Sequence, residues 1–141
     1  MLVNMGRTFI GRLEKGADIL KSLTEICKKE NIRSGAFSLI GAVTSANVGY
    51  YDQLAKKYCD PISFNEALEI TACTGNVSIK DNGIFVHAHI SLSNKIGKCF
   101  GGHLMPGTYV FAAEYCITEF MGEELVREFD DETGLGLWKM M

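Results

Sequence analysis

Two alternating apolar runs joined by a tight turn constrain this fold more than any other feature of the sequence. The first run spans Leu68 to Ser78 and the second spans Ile84 to Leu92. Between them stands Asp81-Asn82-Gly83, a combination of residue types that favours the turn of a β-hairpin. Because alternation with a period of two is typical of strands with one buried face, we predict an antiparallel hairpin here.

Most of the remaining chain also predicts strands, and one segment predicts a helix. Apolar residues recur at helical spacing between Asp18 and Lys29, with Asp18 as the N-cap and Lys28-Lys29 at the C-terminal end of the helix dipole. The predicted class is α+β, a largely antiparallel sheet with one main amphipathic helix, in a single domain over residues 1–141. Further strands are predicted at Thr8–Leu13, Ala36–Ile40, Thr44–Tyr51, Thr108–Phe120 and near Leu135–Leu137.

Composition and charge exclude several classes of protein. No apolar run approaches the roughly 18 residues of a membrane span, and no signal-peptide pattern opens the sequence, so we expect a cytoplasmic protein without membrane contact. The five cysteines contain no Cys-x-x-Cys pair, which argues against a disulfide framework or a four-thiolate zinc site. The net charge of −3 gives little support for binding to nucleic-acid phosphates.

All three histidines of the chain fall within one short segment. His87 and His89 are two residues apart in a predicted strand, so their side chains share one face and can reach a single ion. His103 follows a predicted turn and could return beside that strand. Gly101 and Gly102 would permit either a close backbone approach or a bend with positive φ that aims His103.

Three histidines with an open coordination position suit a catalytic divalent metal, for which zinc is the expected ion. Taken alone, the His-x-His spacing also fits a pair of exposed or hydrogen-bonded surface histidines. The residues alone leave both interpretations open.

Two charged residues in other segments are candidates for supporting roles. Glu114 lies in a strongly apolar predicted strand, where a buried carboxylate needs a partner, so we expect it to support a metal-bound histidine. Arg127 precedes a turn in the C-terminal segment, and we expect it to form a surface or interface salt bridge. The alternative for Arg127 is an inward side chain that binds an anion.

Several motifs occur in an order that resembles the plant-and-prokaryote-conserved (PPC) domain family. They are ILKSL, GAVTSANVGYYD, LEITACTGNVS, VHAHISLS, GGHLMPG, AAEYCITEF and FDDETGLGLW, and the resemblance extends over nearly the whole chain. The resemblance implies an antiparallel sheet with small flanking helices, assembled as a homotrimer. It also implies that His87, His89 and His103 match the family's histidine motif, which favours the metal site.

The resemblance leaves several functions open. Plant members carry the PPC domain together with AT-hooks that bind DNA, and prokaryotic members are often labelled DNA-binding, but this sequence contains no Arg-Gly-Arg-Pro hook. We therefore expect a trimeric metal-binding protein that binds or acts on a small molecule; no motif identifies catalytic residues or a reaction. The alternatives are a DNA-associated regulator or scaffold and a purely structural oligomerisation module.

Overall fold

The computed structural model describes residues 2–139, which contain one helix and a set of strands in antiparallel sheets. The longest strands belong to one seven-stranded sheet. The elements are β1 (Asn4–Leu13), α1 (Ile19–Lys29), β2 (Gly35–Gly49), β3 (Tyr51–Asp52), β4 (Lys57–Tyr58), β5 (Ile62–Phe64), β6 (Leu68–Lys80), β7 (Gly83–Ser93), β8 (Cys99–Leu104), β9 (Tyr109–Met121), β10 (Arg127–Asp130) and β11 (Leu135–Trp138).

The main sheet has the strand order β1-β9-β2-β6-β7-β8, with β5 pairing beside β2. At one end the sheet closes on itself, because β8 pairs with β7 and also with the end of β2. This closure places His103 between two neighbouring strands, opposite His89 in β7 and Gly49 in β2.

The predicted hairpin is confirmed as β6–β7. Asp81 and Asn82 have φ angles of 51° and 61°, as the two central residues of a type I′ turn require. Lys80 and Gly83 close the turn as the first paired residues, and the register continues to Glu69 opposite Ser93.

The predicted helix is also confirmed, beginning one residue after its cap. The Asp18 carboxylate accepts a hydrogen bond from the backbone N–H of Lys21 at 2.9 Å. Ile19, Leu23 and Cys27 form the buried stripe that packs on the sheet. The small flanking helices implied by the resemblance do not occur in residues 2–139, where turns and very short strands connect the long strands instead.

One prediction divided a strand that is in fact continuous. The segments predicted at Ala36–Ile40 and Thr44–Tyr51 belong to the single strand β2, and the break expected at Gly41 is an irregularity in its pairing. Gly41 has a φ of 141°, and a Cβ there would lie 2.1 Å from the carbonyl oxygen of Ala112. Gly41 therefore lets β9 pass close to β2 without ending it.

The C-terminal hairpin β10–β11 forms a small separate sheet. Just before the hairpin the chain joins the main sheet, where the backbone N–H of Ile79 in β6 donates to the carbonyl oxygen of Leu125 at an N···O distance of 2.8 Å. This contact brings the hairpin beside the histidine-bearing end of β7. No helix in residues 2–139 is both long and apolar enough to span a membrane.

Candidate metal centre

The three histidines meet at the β7–β8 end of the sheet. His87 and His89 share one face of β7, and the β7–β8 register sets His103 directly opposite His89. Their ring centroids are 4.9 to 5.4 Å apart. One potential ligand atom from each residue lies within 4.8 Å of the other two. The folded chain therefore brings together all three residues that the sequence singled out.

Gly101 and Gly102 permit this arrangement by close approach and not by a bend. Both lie in the extended strand β8, and neither is among the glycines with positive φ, so the predicted bend there is wrong. A Cβ on Gly101 would lie 2.1 Å from the Ile90 carbonyl oxygen, and one on Gly102 would lie 2.7 Å from the Gly49 carbonyl oxygen. The chain reverses earlier, near Gly97, which has a φ of 77°.

The structure does not bring Glu114 to the histidines within the chain. Glu114 lies in β9, opposite Arg12 of β1 and Ile40 of β2, and its side chain is exposed. On the sheet, β2 and β6 separate β9 from β7. Glu114 lines a different cavity together with Arg12 and Lys15. The sequence of β9 is apolar because one face of the strand is buried, and Glu114 lies on the other face.

The local environment keeps two of the imidazoles neutral. Burial lowers the pKa of His87 to about 4, and the neighbouring charges of His103 and Arg127 act in the same direction. Burial also lowers the pKa of His103, with His89 and Arg127 contributing. Neutral imidazole is the form that binds a metal, so this environment favours the ligand form near neutral pH.

Arg127 is a functional candidate for which the sequence left two positions open. The expected surface or interface salt bridge does not form within residues 2–139, where no carboxylate forms an ion pair with Arg127. Its side chain instead points inward, where Nη2 lies 3.5 Å from Nδ1 of His87. The guanidinium stacks over the rings of Phe85 and Trp138, at 5.1 and 5.5 Å from their centroids.

Tyr58 is a second neighbour that sequence reasoning missed. Its hydroxyl oxygen lies 3.4 Å from Nδ1 of His103, and the two ring centroids are 5.0 Å apart. Burial raises the pKa of Tyr58, with Tyr51 adding to the effect, so the phenol stays protonated near neutral pH. Tyr58 belongs to a two-residue strand far from the histidines in sequence, and no motif marks it.

These residues line one open cavity of about 970 Å³, which we call the histidine cavity. The β7–β8 edge forms one wall, and the β10–β11 hairpin forms another. The hairpin is tied down where Tyr51 donates its hydroxyl proton to the Thr133 carbonyl oxygen at 2.7 Å. Besides the histidines and Arg127, the lining includes Tyr50, Tyr51, Tyr58, Lys80, Phe85 and Glu132.

The described chain is an antiparallel β-sheet protein with one helix and a cluster of three histidines. Residues 2–121 match the Plants and Prokaryotes Conserved (PCC) domain, and the chain belongs to that family. The match ends before the β10–β11 hairpin, which supplies Arg127 to the cavity.

Several solved structures resemble this chain over almost its whole length, and two of them share more than a third of its sequence. The metal-containing protein from Archaeoglobus fulgidus is 40% identical with a TM-score of 0.92, over 99% of this chain and 97% of that one. The PPC protein from Pyrococcus horikoshii is 36% identical with a TM-score of 0.93, over 99% of this chain and 96% of that one.

A curated relative is much longer than this chain. The Bifunctional protein GlmU from Synechococcus sp. (strain JA-3-3Ab) is 28% identical over 130 residues. The match covers 91% of this chain and 20% of that protein. The chain therefore spans about a fifth of the length of this relative.

Proposed function

We propose that this protein binds one divalent metal ion, with zinc as the expected ion, through His87, His89 and His103. The observation that carries the proposal is the convergence of three imidazoles whose ligand atoms lie within 4.8 Å of one another. The 40% identical protein from Archaeoglobus fulgidus is described as metal-containing, which supports the same site here.

The residues present fit a zinc ion. Tetrahedral coordination at bond lengths of about 2.0–2.1 Å separates neighbouring ligand nitrogens by about 3.4 Å. The ligand atoms lie within 4.8 Å of one another, so the rings would have to move closer together around a bound ion. Three protein ligands would leave one coordination position open, and a metal held by His87, His89 and His103 would supply Lewis-acid chemistry towards a molecule in the adjoining cavity.

Tyr58 and Arg127 would act on the two histidines that they contact. If His103 binds the metal through Nε2, its Nδ1 carries the proton and donates it to the Tyr58 hydroxyl oxygen, which fixes the ring. The contact is 3.4 Å long in the present conformation. The adjoining cavity of about 970 Å³ has room for a small organic molecule, so we propose a small-molecule ligand at the metal.

Metal content measured on untagged protein tests the site. Wild-type protein purified without chelators should contain about one metal ion per chain, and elemental analysis identifies the ion. The double substitution His87→Ala and His89→Ala should remove it, because a single remaining imidazole cannot hold a zinc ion. If the double variant keeps the wild-type metal content, the cluster is not the metal site.

We propose further that the protein assembles as a homotrimer. Ile10 of β1 and Ile40 of β2 both face outward. In β9, which lies between these two strands, Cys116 pairs with Ile10 and Glu114 pairs with Ile40. The side chains of Ile10 and Ile40 are 80% and 58% exposed, a large apolar area for a free sheet face. A partner subunit on this face would cover both.

Light scattering tests the assembly. The wild-type protein should have the mass of three chains at micromolar concentration, and Ile40→Glu should shift it towards the monomer by placing a charge in the interface. Ile96→Glu is the matched control, because Ile96 is 78% exposed in the β7–β8 turn and away from this face. A monomeric wild type would contradict the proposal.

A further inference from the structure

We infer that Arg127 forms, beside the histidine cluster, a binding site for the oxyanion group of a small organic acid, a carboxylate or a phosphate. This inference rests on the proposed metal site and specifies what the adjoining cavity would bind. It concerns a residue outside the segment that matches the family.

The charges around the cavity are unbalanced. Arg127 is half-buried, and no carboxylate in residues 2–139 forms an ion pair with it. The lining also contains one exposed cation, Lys80, and one exposed acid, Glu132, which leaves the half-buried Arg127 without a matching charge. Burial lowers the pKa of Arg127, yet a guanidinium stays charged near neutral pH. A divalent metal at the histidines would add to this positive charge, which an anion would offset.

The hydrogen bonds of Arg127 leave part of its guanidinium available. Three of its five N–H groups donate to oxygen atoms: Nε to Ser78 Oγ at 2.8 Å, Nη2 to Asn76 Oδ1 at 2.9 Å and Nη1 to the Gly136 carbonyl at 2.9 Å. Another Nη2 proton faces Nδ1 of His87 at 3.5 Å, the weakest contact of the set. The guanidinium is thus anchored on several sides without being fully bonded.

Metal binding would release the contact between Arg127 and His87. A guanidinium only donates, so His87 Nδ1 can accept from Arg127 only while it carries a free lone pair. A neutral imidazole that binds a metal through one nitrogen carries a proton on the other. Either Nδ1 binds the metal or Nδ1 carries the proton, and in both cases it stops accepting from Arg127. An N–H of Arg127 is then left facing the cavity next to the metal, where an oxyanion can accept it.

The guanidinium is held in place for this role. Phe85 and Trp138 stack against it at 5.1 and 5.5 Å, and its bonds to Ser78, Asn76 and Gly136 restrict rotation. A fixed guanidinium next to a metal recognises planar or tetrahedral oxyanions by charge-assisted hydrogen bonds. Cationic ligands would be repelled by the same charges.

Anion titration of metal-loaded protein tests the inference. Protein loaded with zinc is desalted to remove free metal and titrated at constant ionic strength with inorganic phosphate or with acetate, by calorimetry. Trp138, the single tryptophan of the chain, stacks on Arg127 and reports the same event through its fluorescence. The phosphate and acetate titrations show which oxyanion the site prefers.

Three variants separate ligand binding from structural support. Arg127→Gln keeps a hydrogen-bonding side chain without the charge, and we expect it to retain zinc but to bind the preferred anion at least about tenfold more weakly. Arg127→Lys keeps the charge without the planar fork and should bind with intermediate affinity. Arg12→Gln, which removes an exposed cation from the second cavity, should bind as wild type does.

The outcomes for metal and for anion are read separately. If zinc-loaded wild type binds neither anion, or if Arg127→Gln binds as tightly as wild type, the inference is wrong. If Arg127→Gln fails to fold, Arg127→Lys decides, and wild-type affinity in that variant overturns the inference. If the chain binds no metal, the proposed function fails, and the comparison of Arg127→Gln with wild type in metal-free protein decides for Arg127.

Discussion

The histidine cavity and the second cavity of this protein differ in how their charges are arranged. The second cavity, of about 510 Å³, sets the exposed cations Arg12 and Lys15 beside the acids Glu14 and Glu114. The histidine cavity, of about 970 Å³, sets the half-buried imidazoles of His87 and His103 and the exposed one of His89 beside Arg127, which has no ion-pair partner in the described chain. The second cavity holds two cations and two acids that are all solvated at the surface, whereas the histidine cavity holds a half-buried cation that no carboxylate pairs with.

This comparison shows why the sequence favoured a site role for Glu114 and a salt bridge for Arg127. An acid in an apolar strand suggests a buried carboxylate, but β9 has an outward face, and Glu114 stands on it. Arg127 lies in a segment rich in acids, yet the folded hairpin turns it away from them. A side chain that is both half-buried and charged without a partner identifies the site better than the polarity of its neighbours in the sequence does.

Loss of one histidine should produce the largest difference between the two cavities. We expect His103→Ala to weaken zinc affinity by more than about 100-fold, beyond the usual effect of changing a residue that only supports a ligand. Glu114→Gln should leave zinc affinity within error of wild type, because Glu114 lies in the other cavity. Competition with a calibrated zinc chelator measures both. Equal losses in the two variants would show that the cavities are coupled, for example across a subunit interface.

A smaller effect is expected from adding a side chain where β8 packs closely against β7. Gly101→Ala should lower the free energy of unfolding by about 1–3 kcal/mol or more and weaken zinc binding, because the new Cβ would lie 2.1 Å from the Ile90 carbonyl oxygen. Gly83→Ala is the control, since the nearest atom to a Cβ there is 3.6 Å away. Urea unfolding monitors both, and equal stability of the two variants would contradict the close packing of β8.

The pH dependence of stability should distinguish the buried histidines from exposed groups. The pKa of His87 is lowered from an ordinary 6.5 to about 4 in the folded, metal-free protein. Between these values the unfolded chain takes up a proton that the folded chain does not, so the free energy of unfolding falls as pH falls through this window. His87→Gln should flatten that part of the profile, whereas Arg12→Gln should not. Parallel profiles for wild type and His87→Gln would show that His87 is not buried as described.

The smallest effect is expected with DNA. The positive charge of the histidine cavity is local and lies in a concave site, while the chain as a whole carries a net charge of −3. We expect no binding to a labelled duplex tighter than the order of 10⁻⁶ M at physiological salt, the upper range of non-specific affinity. Fluorescence anisotropy measures the affinity for the duplex. Lys80→Gln, which removes a cation from the lining of the histidine cavity, is the variant to compare with wild type. If wild type binds the duplex more tightly than this and Lys80→Gln abolishes the binding, the surface around the cavity binds nucleic acid.

Local patterns in the sequence predicted much of the fold. The Asp81-Asn82-Gly83 turn, the alternation on either side of it and the cap at Asp18 each act through near neighbours, so each was predicted and is confirmed. Helical spacing likewise predicted the helix Ile19–Lys29. The division of β2 at Gly41 was wrong, because the glycine serves contact with a neighbouring strand and does not end its own.

The candidate site was only partly predictable for the same reason. His87 and His89 share a face by simple alternation, and His103 was placed beside them by the expected return of the chain. Tyr58 and Arg127 reach the site through pairings between distant segments, such as the contact of β10 with β6, and no local pattern records such pairings. Sequence reasoning therefore reached the residues of the cluster, left the direction of Arg127 open and missed Tyr58.

The pairing of β8 on both sides has a consequence for how quickly metal could enter and leave. His103 lies in a strand that is bonded to β7 through His89 and to β2 through Gly49, so its backbone position does not depend on a bound ion. The entropy needed to gather the three ligands is lost when the chain folds and not when the ion arrives. Metal exchange should then be limited by ligand dissociation and not by refolding, and chelation should leave a folded protein ready to be loaded again.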